Sequence, residues 1–165
     1  MQTKARLFGF LVISQMAVFV SAQGLPPANP AEIVAGAQSC IIATGSKHVD
    51  QTKLEAQGWH SASVSQDGKA VATGLTFLGK DKLLLTFDKK SAAPTCFITA
   101  HLDEAGTFGD VAYAIDSGLG VHGAAKSGEA NTIYWFPPDH IVQLSMTGTS
   151  AAPSVRVAVG YMPKP

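Results

Sequence analysis

Val155-Arg156-Val157-Ala158-Val159-Gly160-Tyr161 is the stretch on which the fold turns. Val155, Val157, Val159 and Tyr161 fall on one face of an extended chain. Alternation with a period of two marks a strand that buries one face. Working back from it, residues 133–136 and 141–146 read as two further strands. Earlier still, residues 59–64, 71–78, 83–87 and 95–102 read as a meander of about four antiparallel strands. Asp67-Gly68, within Gln66-Asp67-Gly68-Lys69, is the strongest hairpin signal in the chain. Gly79-Lys80-Asp81-Lys82 supplies the next turn, and Lys89, Lys90 and Pro94 mark the loop that follows.

Helical signals precede each group of strands. In Asn29-Pro30-Ala31-Glu32, Asn29 can cap, Pro30 fits the first helical position and Glu32 can close a capping box. Ile33, Ala37, Cys40 and Ile41 then share one face, and Gly45 is expected to end the run. A short helical turn fits residues 50–57, with Leu54 apolar and Gly58 as the stop. Asp103 is expected to open another helix, with Glu104 in its first turn. Phe108, Val111, Ala112 and Ile115 are its apolar stripe, and Gly118 and Gly120 its end. The order helix–strands–helix–strands predicts an α+β fold, an antiparallel sheet of about seven strands with helices packed on one face. The two halves share an order of elements but no residue-level repeat.

The first 22 residues read as an address. Lys4 and Arg6 form a positive head, and residues 7–20 are an apolar run too short to span a bilayer as a helix. Val20-Ser21-Ala22 has the small-residue cleavage pattern, which places the mature N-terminus at Gln23. No cysteine follows the apolar run, which argues against a lipid anchor, so no stable membrane anchor is expected after cleavage. Residues 23–165 are one domain by size. The expected location is periplasmic or secreted. Loss of Lys4 and Arg6 leaves 10 basic residues against 12 acidic ones, with no block of like charge. A nucleic-acid or anionic-membrane partner would call for a basic patch, and none is present.

Cys40 and Cys96 are the only cysteines. In an oxidising compartment they can form one disulfide, closing a loop of about 57 residues for roughly 4 kcal/mol in the chain-entropy model. Two buried free thiols are the alternative. Neither spacing nor neighbours suggest zinc or redox chemistry.

Several motifs invite a functional interpretation. Gly118-Leu119-Gly120-Val121-His122-Gly123 matches G-x-G-x-x-G, but follows a helix and precedes a strand, the reverse of a dinucleotide site. Gly148-Thr149-Ser150-Ala151-Ala152-Pro153 is similar to the nucleophile segment of subtilisin-like proteases. However, only two residues separate Ser150 from the proline where that family has three, and its partner motifs are missing. Ser150 is expected in a polar turn. His48, His60, His101, His122 and His140 form no local metal-ligand pair. Asp103, Glu104 and Asp110 read as helix-start acids. Tyr134-Trp135-Phe136-Pro137-Pro138 is the densest aromatic stretch. A strand apolar on both faces reads as core, but Tyr134, Trp135 and Phe136 are also the best candidates for a contact surface.

The helix carrying Cys40, the stretch from Leu54 to Gly58-Trp59, the strand carrying Cys96 and the closing alternating strand together resemble a group of small exported proteins of sphingomonad-like alphaproteobacteria. The resemblance covers most of the mature chain. It implies an exported location and this order of elements, and it carries over no site residue. The functional expectation is a non-catalytic binding or accessory protein of the cell envelope, with no cofactor and no resident metal. Its partner would be a protein, peptide or small ligand. Two alternatives stand beside it. One is a small hydrolase assembled from distant histidines with Asp103 or Asp139. The other is an inhibitor or assembly factor using aromatics such as Trp135.

Overall fold

The computed structural model of the protein describes residues 18–19, 24–66, 69–70, 73–125 and 129–163. The elements run in order as β1 Val18–Phe19, α1 Pro30–Ala43, α2 Gln51–Ala56, β2 His60–Ser63, β3 Ser65–Gln66, β4 Lys69–Ala70, β5 Thr76–Lys80, β6 Leu83–Phe87 and β7 Thr95–His101. The second half holds α3 Thr107–Leu119, β8 Ala124–Ala125, β9 Thr132–Trp135, β10 His140–Thr149 and β11 Ala152–Tyr161. The architecture is α+β. The main sheet has the order β1-β2-β5-β6-β7-β11-β10-β9-β8. Eight of its strands are joined antiparallel, and β1 adds in parallel at the edge, with Val18 opposite Ala62 and Phe19 opposite Ser63. The rest of the expected leader, including its cleavage pattern, lies outside the described residues.

That strand order contains a symmetry invisible in the residues. Each half is a helical segment followed by a four-strand meander: β2-β5-β6-β7 in the first, β8-β9-β10-β11 in the second. The last strands of the two halves, β7 and β11, pair antiparallel at the centre of the sheet, with Ile98 opposite Val157. Helices α1 and α3 lie against each other, and the Gln38 side-chain amide donates to the Gly118 carbonyl between them at 3.0 Å.

Alternation decides which residues face the helices. Cys96, Ile98 and Ala100 of β7 are buried, as are Leu83, Leu85 and Phe87 of β6 and Val155, Val157 and Val159 of β11. Burying a row of such side chains, at about 1.5–3 kcal/mol each, is what holds the sheet to the helices. Cys40 of α1 is bonded to Cys96 with the Cα atoms 5.7 Å apart, so the thiol alternative does not hold. Gly36 permits the close approach of α1, because a Cβ there would lie 2.8 Å from Ile98 Cδ1 and 3.0 Å from Leu83 Cδ1.

The cap of α1 is as expected. Glu32 N–H donates to Asn29 Oδ1 at 2.9 Å and Asn29 N–H to Glu32 Oε2 at 2.7 Å. Its end differs: the helix stops at Ala43 with Thr44 extended as the cap, because Thr44 bridges to Val49 in a tight return. The third helix begins at Thr107, four residues beyond Asp103. Residues 103–106 form a turn instead, in which Thr107 N–H donates to the Glu104 carbonyl. The sheet also departs from the expected seven strands. Residues 71–78 do not form one return strand. The hairpin at residues 65–70 is a separate two-stranded ribbon, its Asp67-Gly68 tip lies outside the described residues, and the true partner of β2 is β5. The short edge strand β8 carries only Ala124 and Ala125, too little pattern to be read as a strand. Among the described residues, no helix is long and apolar enough to cross a membrane.

Candidate functional site

The same alternation that buries one side of the sheet defines the other. All three helices pack on the side of Ile98 and Val157, and among the described residues no helix covers the opposite face. The cross-strand register maps that face row by row. Leu84, Thr99, Arg156, Ser145 and Thr132 lie abreast on β6, β7, β11, β10 and β9. The adjacent row is Phe77, Thr86, Phe97, Ala158, Gln143 and Tyr134. Beyond Arg156 on the other side, His101 stands opposite Ser154. Directly opposed side chains on such strands are about 4.5–5.5 Å apart at Cβ, so each row is a set of contacting neighbours.

Arg156 is the exposed centre of this surface. Its guanidinium carbon lies 5.8 Å from the centroid of the Phe97 ring, a cation–π distance that steadies the long side chain. No carboxylate among the described residues lies within ion-pair distance of it. The Ser145 hydroxyl accepts from the Gln143 side-chain amide at 2.9 Å, which leaves its O–H to donate outward. Tyr134 donates its hydroxyl proton to Glu129 at 2.5 Å at the margin of the face. The chemistry on offer is one fork of N–H donors, flanking hydroxyl groups and half-buried aromatic rings.

The aromatic candidates from the sequence divide three ways. Tyr134 is on this face, Phe136 is 55% exposed beyond the end of β9, and Trp135 is fully buried, which removes it as a contact residue. Parity explains the split between Tyr134 and Trp135, since successive residues of a strand point to opposite faces. Trp135 is instead fixed from below. Its indole N–H donates to Asp116 Oδ1 at 2.5 Å, and Gly123 N–H donates to the same oxygen at 2.9 Å. The His122 ring stands 3.4 Å from Oδ2. The indole donor above all, then the Gly123 amide, holds the Asp116 carboxyl below the usual carboxylate range.

That contact accounts for Gly118-Leu119-Gly120-Val121-His122-Gly123. Gly120 ends α3 with φ of 64°, and Gly123 lies so close to the Trp135 indole that a Cβ would come within 2.6 Å of it. The glycines serve the chain's own packing.

The five histidines do not converge. His48 and His60 are exposed, and His122 is 97% exposed beside an Asp116 already engaged by two other donors. Both ring nitrogens of His140 lie 2.9 Å from backbone carbonyls, those of Pro138 and Thr44, which makes the ring a strap between β10 and the end of α1. His101 Nδ1 lies 3.2 Å from Ser154 Oγ, a serine–histidine contact of catalytic length. Ser154 is only 6% exposed, however, and a nucleophile needs room for a substrate carbonyl. Asp103, Glu104, Asp110 and Asp139 are exposed, and Ser150 sits in the turn between β10 and β11. No group of three metal-ligating side chains is gathered among the described residues.

A concavity of about 240 Å³ lies at the end of α1, lined by Ile42, Thr44, Lys47, His48 and Lys53 among others. It is below the usual volume of a ligand pocket. The Lys53 ammonium there turns to the Ile42 carbonyl at 3.5 Å, serving the helix end.

Neither Arg156 nor Asp116 stood out in the sequence. The signal for Arg156 was present: it is the one charged residue in a strand whose inward parity carries Val155, Val157 and Val159. Its neighbours come from strands 57 and 11 positions away, and only register supplies them. No family model, no curated protein and no solved structure matches the chain.

Proposed function

We propose that the protein is an exported, non-catalytic binding protein of the cell envelope, and that its contact surface is the helix-free face of the sheet around Arg156. The observation that carries this is an exposed cation at the middle of a sheet, without a carboxylate partner among the described residues and bordered by hydroxyls and aromatic rings. Export is supported by the charged head, apolar run and small-residue site at residues 1–22, by the Cys40–Cys96 bond and by the resemblance to exported proteins. Cleavage after Ala22 removes β1 and leaves β2 at the edge of an eight-stranded sheet.

Position-specific photocrosslinking in the native host tests the surface. A photoreactive side chain at Thr99 or at Ser145 is expected to give the same discrete adduct. At Lys53, on the helix side, that adduct is absent. Adducts from position 53 alone, with none from the sheet face, refute the assignment.

The hydrolase alternative has one contact in its favour, Ser154 with His101, and the burial of that hydroxyl stands against it.

A further inference from the structure

We infer that this face recognises a carboxylate carried on an extended, apolar segment of a partner protein, with Arg156 as the specificity-determining residue and Thr99 and Ser145 as flanking donors. The inference rests on the surface assignment above and adds the chemistry of the occupant.

Charge comes first. A guanidinium presents parallel N–H groups that fit the two oxygens of a carboxylate, and its partner is missing among the described residues. Thr99 and Ser145 stand directly across from Arg156 on the strands to either side. Two hydroxyls at that spacing can each donate to an oxygen held in the fork. Phe97 holds the guanidinium from the adjacent row, so less side-chain freedom is lost on binding than for a free arginine.

Shape selects the class of occupant. Small ligands are held in concavities, and the concavity lined by Ile42, Thr44 and Lys53 lies at the end of α1, not among the residues of this face. Phe97 borders the cation, and Phe77, Tyr134 and Ile141 lie half-buried further out on the same face, apolar surface for the alternate residues of an extended segment. Nucleic acid would need several cations to follow its phosphates, and among the described residues of the two rows mapped above Arg156 is the one Lys or Arg. A two-fold pairing of this chain about Arg156 would set two guanidinium groups against each other, which disfavours self-association there.

A displayed library of random 12-residue peptides, selected separately on the oxidised mature protein and on Arg156→Gln, tests this. The wild-type pool is expected to be enriched in Asp or Glu flanked by apolar or aromatic residues, and the variant pool is not. The strongest acidic peptide should shift the amides of Thr99, Ser145 and Arg156 in heteronuclear NMR spectra. Its amide counterpart, Gln for Glu or Asn for Asp, should bind at least tenfold more weakly. Arg156→Lys should be intermediate, retaining charge without the fork. Near-UV circular dichroism matching wild type shows that each variant is folded. Binders that map to the face without acidic enrichment overturn the carboxylate inference and leave the surface assignment standing. Binders that map elsewhere, or no binders, overturn both. Inorganic phosphate that displaces the peptide at equal concentration overturns the peptide-borne carboxylate in favour of a general oxyanion site.

Discussion

Asp116 offers the sharpest quantitative test of how the second half of the protein is held together. Its Oδ1 accepts from both the Trp135 indole and the Gly123 amide, and Trp135 is fully buried. A hydrogen bond to a charged group is worth about 1.5–3 kcal/mol. The Asp116 side chain is 31% exposed, so solvent replaces part of what a substitution removes. Asp116→Ala deletes the acceptor and strands a buried indole donor, and we expect it to cost about 3 kcal/mol. Asp116→Asn can keep an oxygen at the Oδ1 position and both hydrogen bonds, losing only their charge assistance, and should cost about 1 kcal/mol. Equilibrium urea unfolding at pH 7 measures both. The pH dependence follows from the same contacts. Because the folded carboxyl titrates below its unfolded value of about 3.9, its contribution is fully present above that pH. It is lost as pH falls through the lower, folded value. The difference between wild type and Asp116→Asn should therefore shrink as pH falls below about 4. An alanine variant within 0.5 kcal/mol of wild type, or an asparagine variant as costly as alanine, would refute the account.

Reducing the Cys40–Cys96 bond should lower stability by about 2–4 kcal/mol while leaving the fold assignable, as read from urea unfolding with and without reductant. Gly123→Ala pushes a methyl into the Trp135 indole and should cost about 2 kcal/mol, with a changed near-UV signal from the displaced ring. Gly36→Ala presses on Ile98 and Leu83, whose side-chain ends can give way, so about 1–2 kcal/mol is expected in the same assay. Intact-mass analysis of the native protein should place its N-terminus at Gln23, and retention of Met1 in a cytoplasmic fraction would end the export proposal.

What could be read from the chain alone was whatever depends on neighbours in sequence. The capping box of α1 lies within four residues, the inward valines of β11 within five, and both stand as written. The strand Leu83–Phe87 came out residue for residue, because it lies between compact turns. Local signals failed where another turn or a more distant pairing outbid them. Asp103 does not start α3 because a turn at Glu104 and Gly106 intervenes, and β2 passes over the residues of its nearest hairpin to pair with β5. The candidate surface belongs wholly to tertiary structure. Arg156 is written into an alternating strand, and its outward direction follows from that period. Its neighbours Phe97, Thr99 and Ser145 are set by the register of β7 and β10 against β11. A shift of one residue in either pairing would turn that strand's side chains to the opposite face. Register is fixed by the fit of Ile98, Leu144 and Val157 beneath the helices, a property of the assembled core that no single segment contains.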